Sequence, residues 1–206
     1  MLVFPQMYGG SSTPSPGGAS YVSNGLIFRD DNCPVCYASN RRVSVSDRFN
    51  VLGSNNSFTM EIYARVDAIP SGSYSRMFEI YGTSNCAIGL SMVSSEKDAS
   101  SDYSINMMYG MDQMMKAPNL LFGYKHTFTL VFYNDTIYLY IDGANTGETL
   151  SCSIHEVSPD TIYMMTGYTG GRSTTGEWYS ARVYDRALSV SEVALNHTAD
   201  ISNFGA

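Results

Sequence analysis

Between His126 and Gly143 the chain reads His-Thr-Phe-Thr-Leu-Val-Phe-Tyr, Asn-Asp, Thr-Ile-Tyr-Leu-Tyr-Ile, Asp-Gly, and this stretch constrains the fold more than any other. Phe128, Leu130 and Phe132 recur at every second position, and Ile137, Leu139 and Ile141 do the same in the next run. A period of two puts successive side chains on opposite faces of an extended backbone, so each run buries one face as a strand. Asn134-Asp135 separates the runs and Asp142-Gly143 closes the second with a tight-turn dipeptide. The stretch is therefore expected to form an antiparallel meander.

The same period recurs elsewhere. In Ser57–Val66, Phe58, Met60, Ile62 and Ala64 share one face, and Thr59, Glu61, Tyr63 and Arg65 the other. Met77–Tyr81 and Ala87–Val93 read as two short strands divided by a Gly82-Thr-Ser-Asn85 turn, and Gly176–Tyr184 as a long late strand. The sequence Ser189-Val-Ser-Glu192 has the form of a capping box and predicts a short helix running to Asn196. Ser94–Ser101 is polar and reads as a loop, and the methionines at 107, 108, 111, 114 and 115 read as core filling rather than an apolar contact surface.

Composition agrees with an all-β domain. Charged residues make up 15% of the chain, against ~25% in ordinary globular proteins, while there are 16 Tyr and 18 Gly. Such a surface is built from Ser, Thr, Asn, Gly and Tyr, which suits strands and turns. The formal charge of −7 and the lack of any basic run argue against binding a phosphate backbone, so nucleic acid is not an expected partner. No apolar stretch approaches ~18 residues, and Met1-Leu-Val-Phe-Pro-Gln lacks the basic and long apolar regions of a signal peptide, so membrane insertion is not expected.

Residues 9–20, Gly-Gly-Ser-Ser-Thr-Pro-Ser-Pro-Gly-Gly-Ala-Ser, are poor in apolar side chains and read as a linker. The chain is thus divided into an arm and linker over 1–20 and one folded domain over 21–206. Leu2, Val3, Phe4 and Met7 ahead of the linker would lie in water unless they pack on the body or dock to a partner. The four cysteines, Cys33, Cys36, Cys86 and Cys152, allow three disulfide pairings, free thiols or zinc. Cys33-Pro-Val-Cys36 is half a zinc knuckle without a second half at a suitable spacing, so buried thiols or one local disulfide is the simpler expectation.

Three segments in order, Ser57–Val66, His126–Gly143 and Gly176–Ala199 with Arg182-Val-Tyr-Asp-Arg-Ala-Leu-Ser-Val-Ser-Glu-Val, resemble the laminin-G-like, concanavalin A-like domains. The resemblance implies a two-sheet antiparallel jelly-roll β-sandwich with a short C-terminal helix. It also implies a module that binds carbohydrate or protein, sometimes as a cap on a larger enzyme or virion protein, and the function expected here is non-catalytic glycan recognition within a phage particle or bacterial surface protein. A calcium ion at the sandwich rim would take oxygen ligands from Asp30, Asp31 and Asn32, or from Asn134 and Asp135, though each group also reads as turn chemistry.

The E-x-D-x-E pattern of β-glucan-cleaving relatives is absent, and Glu61 with Asp67, Glu96 with Asp98, and Glu177 with Asp185 are not spaced to share one strand face. His126, His155 and His197 fall in no Ser-His-Asp order, and His126 at the opening of a strand is expected to be structural. The expectation is accordingly a non-enzyme. The loop Thr166–Thr175, with Tyr168, Thr169 and Arg172 among glycines, is the first candidate for ligand binding. Trp178 is a second candidate as a stacking platform, although its strand position favours burial.

Expected partners are a glycan or protein on a cell surface and, through residues 1–20, other subunits of a particle or surface protein, further copies of the chain included. The expected setting is extracellular or virion-associated. Two other functions compete: a decoration protein docking through its arm, and a polysaccharide hydrolase.

Overall fold

The structure, a computed structural model, describes residues 19–22, 25–29, 42–44, 57–68, 74–82, 87–93, 104–109, 112–113, 122–151, 159–165, 174–184 and 186–206. Along these run β1 (Ala19–Val22), β2 (Gly25–Arg29), β3 (Arg42–Ser44), β4 (Ser57–Ala68), β5 (Tyr74–Gly82), β6 (Ala87–Val93) and β7 (Ser104–Tyr109). They continue through β8 (Asp112–Gln113), β9 (Lys125–Tyr133), β10 (Thr136–Ile141), β11 (Ala144–Ser151), β12 (Pro159–Met164) and β13 (Thr175–Tyr184) to the helix α1 (Val190–Phe204). The strands pair in the orders β1-β2-β13-β4-β9-β10-β11 and β3-β12-β5-β6-β7-β8. Each pairing is antiparallel. A mostly β, antiparallel chain with one C-terminal helix among the described residues is consistent with a concanavalin A-like sandwich.

The meander forms where the sequence predicts it. Asn134 and Asp135 have φ of 49° and 56°, and Asp142 and Gly143 of 52° and 76°. Tyr133 pairs with Thr136 and Ile141 with Ala144, so both connections are two-residue hairpins whose central residues have positive φ, the geometry that matches strand twist. On the buried face Phe58 lies opposite Phe132, Met60 opposite Leu130 and Ile62 opposite Phe128. The Phe58 and Phe132 rings stack with centroids 5.3 Å apart. Ala181 and Val183 of β13 continue this apolar layer beside Ile62 and Met60. It is held mainly by removing that apolar surface from water.

The opposite face is buried as well, which alternation alone does not reveal. Thr59, Glu61, Tyr63, Thr127, Thr129, Ser180 and Arg182 are all inaccessible, because α1 lies across them. A buried network around Arg182 and a cap at each end of the helix explain its seat. Arg182 donates to Glu61 Oε1 at 2.6 Å and to Asp200 Oδ2 at 2.9 Å, and its Nη2 also bonds Asp200 Oδ1. Thr129 Oγ1 donates to Glu61 Oε2 and Ser180 Oγ to Asp200 Oδ1, both at 2.8 Å, so each carboxylate has a hydroxyl as well as a guanidinium partner.

The helix begins at the predicted capping box, with Ser189 and Glu192 in reciprocal contact. It ends at Gly205, whose φ of 76° lets its N–H reach Ile201 O at 2.8 Å. Its length corrects the expected stop at Asn196. Asp200 is anchored on Arg182, Lys125 Nζ donates to Phe204 O at 2.7 Å and Tyr63 to Gly205 O at 2.5 Å, so tertiary contacts carry the helix through residues of indifferent propensity. No described helix is long and apolar enough to cross a membrane. The arm over 1–18, the Ser94–Ser101 loop, Met111, Met114, Met115 and all four cysteines lie outside the described residues, as do the surroundings of the Met107 and Met108 side chains.

Candidate functional site

On the helix-bearing face, the polar positions of the meander's alternation hold Tyr133 on β9 and Tyr138 and Tyr140 on β10. Tyr138 pairs with Val131, and Tyr140 pairs with Thr129 on one side and Asn145 on the other, so these side chains share one surface. The segment from β13 into α1 runs beside them. Thr59 Oγ1 fixes that segment, donating to Arg186 O at 2.9 Å and accepting from Leu188 N at 3.0 Å. The result is a groove of about 510 Å³, with Val131, Tyr140 and Leu188 buried at its floor and Ala187, Ser189, Val190, Asn145 and Glu192 along its walls. Tyr133 and Val190 stand at its lip, 51% and 57% exposed.

The volume falls within the ~300–1,000 Å³ of small-molecule sites, which are apolar with a few polar groups for orientation. Tyrosine supplies both kinds of contact, an aromatic face and a hydroxyl that donates and accepts. Asn145 adds an amide whose Oδ1 accepts from Gly147 N at 2.8 Å, which fixes the side chain. Glu192 is fully engaged: Arg186 bonds its two oxygens at 2.6 and 3.0 Å, and Ser189 N donates to Oε2 at 2.8 Å. The Arg186 bonds, with the Ser189 amide and hydroxyl, overcome partial burial and lower its pKa to about 2.

A second cluster ties α1 to the meander's second turn. Asp142 Oδ2 lies 2.7 Å from His126 Nδ1, its Oδ1 accepts from Thr127 N at 3.0 Å, and Thr127 Oγ1 meets His197 Nδ1 of the helix at 2.9 Å. Partial burial alone would raise the Asp142 carboxyl, but the bonds from His126 and the Thr127 amide outweigh it and hold the pKa below the ordinary value. His126 thus has the structural place expected of it.

Both lowered carboxyls give stability that is present above their unfolded values, 4.5 for Glu192 and 3.8 for Asp142, and lost as pH falls through the folded ones. Thermal unfolding followed by circular dichroism should therefore show a falling Tm between pH of about 4.5 and about 2, and Glu192→Gln should flatten that slope. An unchanged slope in the variant would remove Glu192 as its source.

The sequence candidates fare differently. Trp178 is corrected: it is 1% exposed, packed on the apolar face where it pairs with Ala64, and offers no face to a ligand. Asn134 and Asp135 form the β9–β10 hairpin turn, where their positive φ gives them the turn role that the sequence also allowed. Among the described residues no group of three His, Cys, Asp or Glu could hold a metal ion. Asp30, Asp31, Asn32, Tyr168, Thr169 and Arg172 lie outside the described residues. The loop bearing Tyr168 enters β13 at Thr175, opposite Ala68, whereas Tyr133 pairs with Ser57 at the other end of β4. Glu177 is taken up by Tyr179 and by Arg65 at 3.3 Å, and Arg65 also holds Asp67 at 2.8 Å. The groove was missed from sequence. Its signal was tyrosine recurring at the polar positions of the alternation, where Ser or Thr would serve as well.

Residues 38–194, more than half of the chain, match the family Laminin_G_3 of the concanavalin A-like lectin/glucanases superfamily, and the chain belongs to that family. No curated protein matches it in sequence. Among solved structures it is similar to Trypanosoma rangeli sialidase in complex with the inhibitor DANA, with a TM-score of 0.58 and 19% identity over 87% of this chain and 28% of that one. It is similar to the NanB sialidase from Streptococcus pneumoniae, with a TM-score of 0.58 and 13% identity over 82% of this chain and 27% of that one. The binding domain of Paraclostridial Mosquitocidal Protein 1 matches with a TM-score of 0.54 and 15% identity over 88% of this chain and 46% of that one.

The chain spans between a quarter and a third of the sialidases it resembles. At these identities the likeness concerns the fold. It nonetheless overturns the expectation of a non-enzyme, because sialidases, which are glycoside hydrolases, are among the structures that share this architecture.

Proposed function

We propose that the chain is a carbohydrate-binding domain, closed as a jelly roll, whose ligand lies in the groove between the meander and the start of α1. One observation carries this reading: Tyr133, Tyr138 and Tyr140 converge with Asn145 on a groove of about 510 Å³. Aromatic rings pack against the C–H face of a pyranose while amide and hydroxyl groups bond its rim. Membership of the lectin/glucanase superfamily, and the sialidases among its structural relatives, support a carbohydrate-related role. On this reading the domain works at a cell or particle surface, extracellular or virion-associated, with the Gly/Ser/Pro-rich residues 9–20 as its tether to other subunits.

The test is a glycan array followed by calorimetric titration, with the same sugars assayed for cleavage. Tyr133→Ala, at an exposed lip position, should weaken binding about tenfold or more while leaving Tm unchanged. The double variant Tyr168→Ala with Arg172→Ala serves as the comparison at the other end of β13. Binding lost there and kept in Tyr133→Ala would move the site to that loop.

A further inference from the structure

Resting on the reading that the groove holds a sugar, we propose that it selects neutral glycans, an uncharged pyranose rather than one bearing a carboxylate or sulfate. The charge of the walls favours such a ligand. Among the described lining residues Glu192 is the charged group, and there is no Lys, Arg or His. Recognition of an anionic sugar relies on a guanidinium or ammonium that meets the anion with charge-assisted bonds. The nearest candidate in sequence, Arg186, already faces an anion of its own, with both of its terminal nitrogens within 3.0 Å of the Glu192 oxygens.

Glu192 is ionised at neutral pH, since Arg186 and Ser189 hold its carboxyl low. Because Arg186 and Glu192 neutralise one another, the described walls supply no spare cation, and an anion entering the groove would lose water without a charge to meet it. The formal charge of −7 on the whole chain repels it at longer range. What the groove offers instead is neutral: tyrosine hydroxyls, the Asn145 amide and the apolar surface of Val131, Leu188 and Val190. These groups suit ring C–H faces and hydroxyls.

The experiment is an array of matched pairs, lactose, N-acetyllactosamine and chitobiose beside sialylated or sulfated counterparts, probed with the full chain and with Tyr133→Ala and Val190→Arg. The neutral member of a bound pair should bind about tenfold tighter than the charged one. Val190→Arg, which places a cation at the exposed lip, should narrow that gap with its circular dichroism unchanged. Charged members that bind as well as neutral ones, and lose binding in Tyr133→Ala, overturn neutral selection while leaving the groove as the sugar site. Absence of all binding, or binding indifferent to Tyr133→Ala, overturns the groove reading itself and the selection with it.

Discussion

Arg182→Met should lower the unfolding free energy by about 3–5 kcal/mol, read from the midpoint of urea denaturation at neutral pH. The substitution keeps most of the side chain's length but leaves Glu61 and Asp200, both inaccessible to water, without their shared cation. Burial already raises the Glu61 carboxyl in the intact protein, and the attraction of Arg182 is the main force against it. A carboxyl with a raised folded pKa contributes stability below its unfolded value of 4.5, which is lost as pH rises through the folded value. The loss in Arg182→Met should thus be smaller near pH of about 4 than at about 7, the reverse of the trend expected from Glu192. A variant as stable as the parent at neutral pH would show that the buried triad is not what seats the helix.

Trp178→Ala should cost about 3–5 kcal/mol of stability, the range for removing a large aromatic from a core. The ring is fully enclosed beside Ala64 on the apolar face of the central sheet, on the side away from α1 and the tyrosine groove. The milder Trp178→Phe keeps the site filled with an aromatic ring. It should lose stability but bind sugar as the parent does, because none of the groove's walls comes from that face. A Trp178→Phe protein that is folded yet has lost its affinity would return the tryptophan to the binding surface and sink the burial account. Measuring Tm and calorimetric affinity on the same preparation separates the two effects.

Local chemistry made much of the fold legible. The alternation in Phe128–Ile141, the two turn dipeptides and the Ser189–Glu192 capping box each state their structure within a few residues. Other features depend on residues far apart in the chain. Thr59, Glu61 and Arg182 look like a solvent-facing edge until Asp200 is known to lie above them, so the second buried face was not readable. The candidate site suffers from the same gap. That Tyr138 and Tyr140 share a face follows from their spacing, but the wall formed by Ala187–Glu192 follows only from the anchoring of that segment by Thr59. The burial of Trp178 was favoured by its strand position, but the face it takes was not readable, because pairing shifts at a strand bulge between Trp178 and Ser180.

The triad also orders events in time. Glu61 precedes Arg182 by 121 residues, and Asp200 follows 18 residues later. At synthesis speeds of ~5–20 residues per second, a nascent chain spends on the order of ten seconds with its Glu61 counter-ion still untranslated. Before then Glu61 can only stay hydrated, so the outer layer of the central sheet cannot be sealed while the chain is being made. Sealing awaits the Asp200 segment, the last of the three partners to be synthesised.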